Sequence, residues 1–236
     1  MLQKIKSGFA IKILSTVLLF AASIFAQQIE VNSLKGDVKY QPSTSEVWTK
    51  VKKGETLQSD GFISTDKNSS VQLNHSGDLI TIGELSAVSI SSIKKMTTDE
   101  LLLALAMEDM INAPKPNVKE NSGNTAVYGE DESKNKVAEL SANDFGIKRL
   151  NGAMQLAENG LMESSVIFAK ETYRKYPETK QITSYRIFFA DILYDKGLYT
   201  EALGEYLEIQ KLELSNEQKN KVESSINSIN KILLKD

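Results

Sequence analysis

Between residues 29 and 90, apolar residues recur at every second position in short runs. Ile29 pairs this way with Val31, Val71 with Leu73, Ile80 with Ile82 and Val88 with Ile90. A period of two puts one face of each run in a core and the other in water. Gly36, Gly54, Gly61 and Gly77 separate the runs together with short polar clusters, as turns require. Asn74-His75-Ser76-Gly77-Asp78 predicts a hairpin turn. Gln41-Pro42-Ser43-Thr44-Ser45 predicts a loop, and Trp48 just beyond it is placed to plug one end of the core. The stretch is too short for a large barrel, so it predicts a small all-β sandwich or rolled sheet.

The pattern changes at Thr97. Thr97-x-x-Glu100 can form a capping box. Residues 101–107 are apolar on nearly every side, Met110 and Ile111 follow, and Pro114 stops the helix. Such a helix needs cover, either from the rest of the chain or from a partner docked on it. Residues 113–143 are rich in Asn, Lys, Glu, Ser, Gly and Pro and read as a polar linker. Thr125-Ala126-Val127-Tyr128 suits a short edge strand, and Glu130-Asp131-Glu132 a solvated turn. From residue 144 the period becomes helical, with five helices near 144–159, 162–176, 183–196, 199–212 and 216–234. Gly160 and Gly197 stand where helix C-terminal glycines belong, and Pro177 ends another helix.

The first residues add an address. Lys4, Lys6 and Lys12 precede an apolar run over residues 13–26 that ends in small residues. That is the make-up of a secretory signal peptide, expected to be cut between Ala26 and Gln27. The alternative is an uncleaved anchor crossing the membrane over residues 5–26. Removing residues 1–26 takes the formal charge from −3 to −6, which gives no attraction to nucleic acid or to an anionic lipid surface. There is no cysteine, hence no disulfide, thiol nucleophile or lipid-bearing cysteine. The domain plan is therefore 1–26 signal, 27–96 β domain, 97–112 apolar helix, 113–143 linker and 144–236 helical domain, in the α+β class. The mature protein is expected to be exported and, once cleaved, to have no membrane span.

The β pattern carries a resemblance. Gly36-x-Val38, Trp48-x-x-Val51-x-x-Gly54-x-x-Leu57, Gly61-x-Ile63-x-Thr65, Ser69-x-Val71-x-Leu73 and Ser86-x-Val88-x-Ile90 together resemble the FecR-type extracytoplasmic domain. The resemblance covers roughly a quarter of the chain and implies binding or signalling in a bacterial envelope. In that family Trp48 would fill the tryptophan position of the core. The family's regulators carry a cytoplasmic anti-sigma segment before a membrane span. Only about 26 residues precede this β pattern, so control of a sigma factor is not carried over.

The helical part repeats. Asn159-Gly160-Leu161-Met162-Glu163-Ser164-Ser165 aligns with Lys196-Gly197-Leu198-Tyr199-Thr200-Glu201-Ala202 at an offset of 37 residues. This resembles the tetratricopeptide helix–turn–helix pattern. Ser165 and Ala202 take its small position after the glycine, and Ala153 and Ala190 the small position before it. Tyr206 meets its aromatic position where the first copy has Ala169, and Pro177 meets its late proline where the second copy has Leu214. Thr179-Lys180-Gln181 accounts for the long period, and the last helix caps the stack. The resemblance implies that the first helix of each pair lines a groove, at Leu150, Met154, Ile187, Asp191 and Tyr194. Met154, Ile187, Asp191 and Tyr194 are the candidate partner-binding residues. Leu150, Met154 and Ile187 could instead be covered by the helix at 101–107.

Chemistry is sparse. There is no G-x-S-x-G, H-E-x-x-H, P-loop or G-x-G-x-x-G. His75 is the only histidine and falls in a predicted turn. Asp60, Asp66 and Asp78 lie near turns, where aspartate is common. No catalytic residue, cofactor or metal site is expected. The reading is a non-catalytic periplasmic or secreted protein that binds another envelope protein or a cell-wall component, as scaffold or assembly factor. The alternatives are a ligand-sensing accessory of an envelope signalling system and, more distantly, a glycan-acting enzyme.

Overall fold

A computed structural model describes residues 29–112 and 145–235. The signal segment, the linker with its candidate strand at 125–128 and the acidic cluster at 130–132 lie outside the described residues.

The chain is mixed α and β: two antiparallel sheets followed by helices. The strands are β1 Ile29–Lys35, β2 Val38–Gln41, β3 Thr49–Lys50, β4 Thr56–Leu57, β5 Phe62–Thr65, β6 Ser70–His75, β7 Asp78–Ile82 and β8 Ala87–Ser89. One sheet has the order β4-β1-β6-β7 and the other β3-β2-β5-β8. The period of two does what it predicts. In β1 Ile29 and Val31 are buried, in β6 Val71 and Leu73, in β7 Ile80 and Ile82, and from the second sheet Val38, Tyr40, Ile63 and Val88 join them. The β6–β7 hairpin turns through Ser76 and Gly77 alone, at φ 56° and 94°, with His75 opposite Asp78. Two positive φ values in a two-residue loop match the twist of the strands. His75 is thus the last residue of β6 and half-buried, where a turn position had been expected.

Six helices follow among the described residues: α1 Thr98–Asn112, α2 Phe145–Glu158, α3 Met162–Lys175, α4 Thr183–Asp195, α5 Tyr199–Ile209 and α6 Asn216–Leu233. A 3-10 turn at Pro177–Gln181 holds the three residues that lengthen the repeat. α2 packs on α3, α4 on α5, and α6 on α5. The 37-residue offset is written in the hydrogen bonds. Gly160 N donates to Ala157 O and Leu161 N to Leu156 O; Gly197 N donates to Tyr194 O and Leu198 N to Leu193 O. Both glycines have positive φ, 82° and 75°. This pair of bonds ends a helix by a left-handed residue, with the flanking leucines packed across it. A reciprocal cap starts α6, where Gln218 N donates to Ser215 Oγ and Ser215 N to Gln218 Oε1.

The sheets and helices share one continuous apolar cluster. α2 lies over the edge strands β7 and β8, while α1 packs on α3. The alternative in which the helix at 101–107 covers Leu150, Met154 and Ile187 is not the main packing: that helix lies chiefly on α3, and β7 and β8 lie on α2. Gly152 permits the approach, since a Cβ there would stand 2.2 Å from Ala87 O and 2.7 Å from Val88 Cγ2. The expectation that Trp48 plugs the sandwich is also corrected. Trp48 is half-buried outside the core and meets Phe145 of α2 edge to face, with ring centroids 5.8 Å apart. It closes the seam between sheet and helix rather than an end of the sandwich.

Candidate interaction surface

α1 starts as its sequence predicts. Thr97 N donates to Glu100 Oε2 at 2.7 Å and Glu100 N donates to Thr97 Oγ1 at 3.2 Å. The carboxyl accepts from Thr97 N and also from Thr97 Oγ1, and these two bonds draw the exposed Glu100 below its ordinary pKa. One side of the helix is anchored. Leu101 is fully buried, Leu105 nearly so, and Arg174 Nε of α3 donates to Glu108 Oε2 at 3.1 Å. Just upstream, Ser164 Oγ donates to Lys94 O at 2.6 Å.

The other side has no cover among the described residues. Leu103 is 65 % exposed, Met107 56 %, Met110 77 % and Ile111 59 %. Their spacing of four, three and one residues sets them on one stripe, two turns long. Ala106 is exposed along the same face, and Asp99 and Asp109 are exposed beside it. Large apolar side chains gathered on one face of an anchored helix, rather than scattered singly, make that face the candidate interaction surface among the described residues.

The groove positions read from the helical repeat are placed differently. Leu150 is fully buried and Ile187 is 6 % exposed, while Met154 is half-buried and packs on the same core. Tyr206 Oη donates to Asp191 Oδ1 at 2.5 Å, and Lys221 Nζ donates to Asp191 Oδ2. Asp191 thus ties α4 to α5 and α6. Tyr194 is half-buried, edge to face with Tyr199 at 5.6 Å. Asp191 and Tyr194 share α4, but both are engaged by neighbouring helices.

Sequence reasoning did not single out the polar seam between α2 and the sheets. Asn151 and Gln155 of α2 and Asn159 just past its end recur every four residues. Asn159 accepts from Thr81 N and donates to Thr81 O, both at 2.9 Å; Gln155 Oε1 accepts from Gly83 N at 3.2 Å; Asn151 Nδ2 donates to Leu85 O at 2.8 Å. The amides thereby complete the outward backbone groups of an edge strand that would otherwise offer itself for pairing. The signal was an amide at i, i+4 and i+8.

Ion pairs extend the seam. Lys148 Nζ donates to Asp66 Oδ1 at 2.6 Å and Lys39 Nζ to Asp66 Oδ2 at 2.9 Å. The two cations lower the Asp66 pKa from 3.8 to about 2. Arg149 is 1 % exposed, with its guanidinium 4.9 Å from the Phe62 ring centre and 4.5 Å from that of Phe168. Its Nε donates to Thr172 Oγ1 at 3.1 Å, and Glu171 stands 3.5 Å from Nη2. Burial lowers the Arg149 pKa and Glu171 opposes that shift. On the far side of α3, burial would raise the Glu205 pKa, but Lys170 and Arg186 outweigh it and the net shift is downward.

Two polar cavities stand out among the described residues. One of about 430 Å³ lies under the β6–β7 hairpin, lined by His75, Asp78, Lys94, Lys95, Asn159 and Leu161. Lys95 Nζ is 2.8 Å from Asp78 Oδ2 within it. The other, about 220 Å³, is lined by Lys170, Tyr173, Arg186 and Glu205, and burial raises the pKa of the Tyr173 hydroxyl beside it. Among the described residues no group of three or more histidine or acidic side chains could hold a metal ion. No helix among them is long and apolar enough to cross a membrane. Comparison with protein-family models, with curated proteins and with solved structures finds no match.

Proposed function

We propose that this chain is a non-catalytic, exported protein of a bacterial envelope, with a FecR-like β part and a tetratricopeptide-like helical part. In this reading it binds another envelope protein or a cell-wall component and acts as a scaffold or assembly factor. The observation that carries the reading is the exposed stripe of Leu103, Met107, Met110 and Ile111 on a helix whose opposite side is anchored. The alternation in the sandwich supports the first resemblance, and the duplicated helix ends at Gly160 and Gly197 support the second. The groove residues Met154, Ile187, Asp191 and Tyr194 are engaged internally, so the binding surface in this proposal moves from the groove to α1.

A second reading, ligand sensing, is favoured by the cavity under the β6–β7 hairpin, where His75, Lys94 and Lys95 would face a small polar ligand.

Affinity capture from envelope extract tests the first reading. Wild-type protein is expected to retain a defined partner that a Leu103→Ser, Met107→Ser variant loses at unchanged helix content. Equal capture by both would remove α1 from the proposal. A variant in which Lys94→Ala and Lys95→Ala alone abolish capture would favour the second reading.

A further inference from the structure

The charges around the α1 stripe say what kind of partner fits it, and this inference rests on α1 being the docking surface. Over Thr98–Asn112 the helix carries Asp99, Glu100, Glu108 and Asp109 and no basic residue. Glu108 is turned inward and neutralised by Arg174. Glu100 is committed to the cap, with Lys94 near it. Asp99 and Asp109 are left exposed to solvent. Asp99 sits one helical turn before Leu103, at the N-terminal end of the stripe. Asp109 lies on one flank, a turn beyond the level of Ala106 and Leu105.

Two copies of this helix packed stripe to stripe would bring the exposed Asp99 and Asp109 of each copy together, which like charges oppose. An anionic membrane surface meets the same repulsion. A partner helix with its own apolar stripe, bordered by lysine or arginine, satisfies both the apolar face and its rim. Helix-in-groove and helix-on-helix recognition use anchors at this spacing. The stripe covers residues 103–111, a rise of about 12 Å, which matches the contact length of a short amphipathic helix. The capping box and the Leu101, Leu105 and Arg174 contacts hold α1 in place before the partner arrives, which reduces the ordering cost of binding. We propose that the exposed face of α1 docks an amphipathic helix with basic borders on another protein.

The test uses the full chain and two fluorescent synthetic helices. One has leucines at i, i+3, i+4 and i+7 with lysines elsewhere; the other has glutamates in place of the lysines. Anisotropy titration is expected to show binding of the lysine probe only. Leu103→Ser with Met107→Ser should weaken it about tenfold or more, and Asp99→Asn with Asp109→Asn about threefold. These side chains are exposed, so circular dichroism and melting should match wild type. Equal binding of both probes overturns the charge argument. Unchanged affinity in the leucine–methionine variant overturns the site. Sedimentation showing a wild-type dimer that the same variant abolishes would assign the face to a second copy. Flotation with phosphatidylglycerol vesicles that the variant abolishes would assign it to a membrane. If envelope capture depends on α1 but the lysine probe does not bind, the partner chemistry falls while the surface stands. If capture is independent of α1, the surface itself falls.

Discussion

Asp66 takes one ammonium on each oxygen, Lys39 from β2 and Lys148 from α2. Its folded pKa lies near 2, below the ordinary 3.8. A lowered carboxyl pKa stabilises the folded state above the ordinary value, and that contribution is lost as pH falls through the folded value. The stability difference between wild type and Asp66→Asn should therefore be constant at neutral pH and shrink as the pH falls from 3.8 towards about 2. Urea unfolding across that range measures it, and a difference that stays level down to the lower limit would break the assignment. Asp66 had looked like an ordinary turn aspartate. Its partner Lys148 is 82 residues away, and no local pattern joins them. Arg149 hides for a similar reason: an arginine in a helical pattern reads as solvated, yet here three aromatic rings surround it. Trp48 was visible as an anchor, but the ring it meets, Phe145, stands beyond the whole linker.

At the scale of elements, α2 faces both ways. Leu150 and Leu156 belong to its buried side, and Gly152 with Asn151, Gln155 and Asn159 fits it to the edge strands. Gly152→Ala should push α2 away from β8 and cost roughly 1–3 kcal/mol, the range for overpacking a tight contact. Faster amide exchange at Thr81 should accompany it, because Asn159 loses its register on β7. Loss of stability without faster exchange at Thr81 would mean that the amide seam does not depend on this contact. Helical period, terminal glycines and the Thr97 cap were all readable, and the helix ends agree to within a few residues. Which surface each helix buries was not readable. Periodicity gives a face but not the element that will cover it, so the contacts of α2 with β7 and β8, and of α1 with α3, could come only from the fold.

Across the described residues, one core runs from the sandwich through the helices, and α1 stands on it with an apolar side that none of them covers. The sequence marked α1 as apolar nearly all round, which demands cover without saying how much the chain itself provides. Leu101 and Leu105 are covered from within; Leu103, Met107, Met110 and Ile111 are exposed among the described residues. The groove residues were chosen from a resemblance in which the first helix of each pair lines a groove. In this chain β strands lie on α2, and Tyr206 and Lys221 engage Asp191. The proposed binding role thus rests on α1. Site-specific photocrosslinking in the native envelope tests it most directly, with a photoreactive residue at Met107 in one variant and at Tyr194 in another. A discrete heterologous adduct is expected from position 107 and none from position 194. An adduct from position 194 with none from position 107 would contradict it.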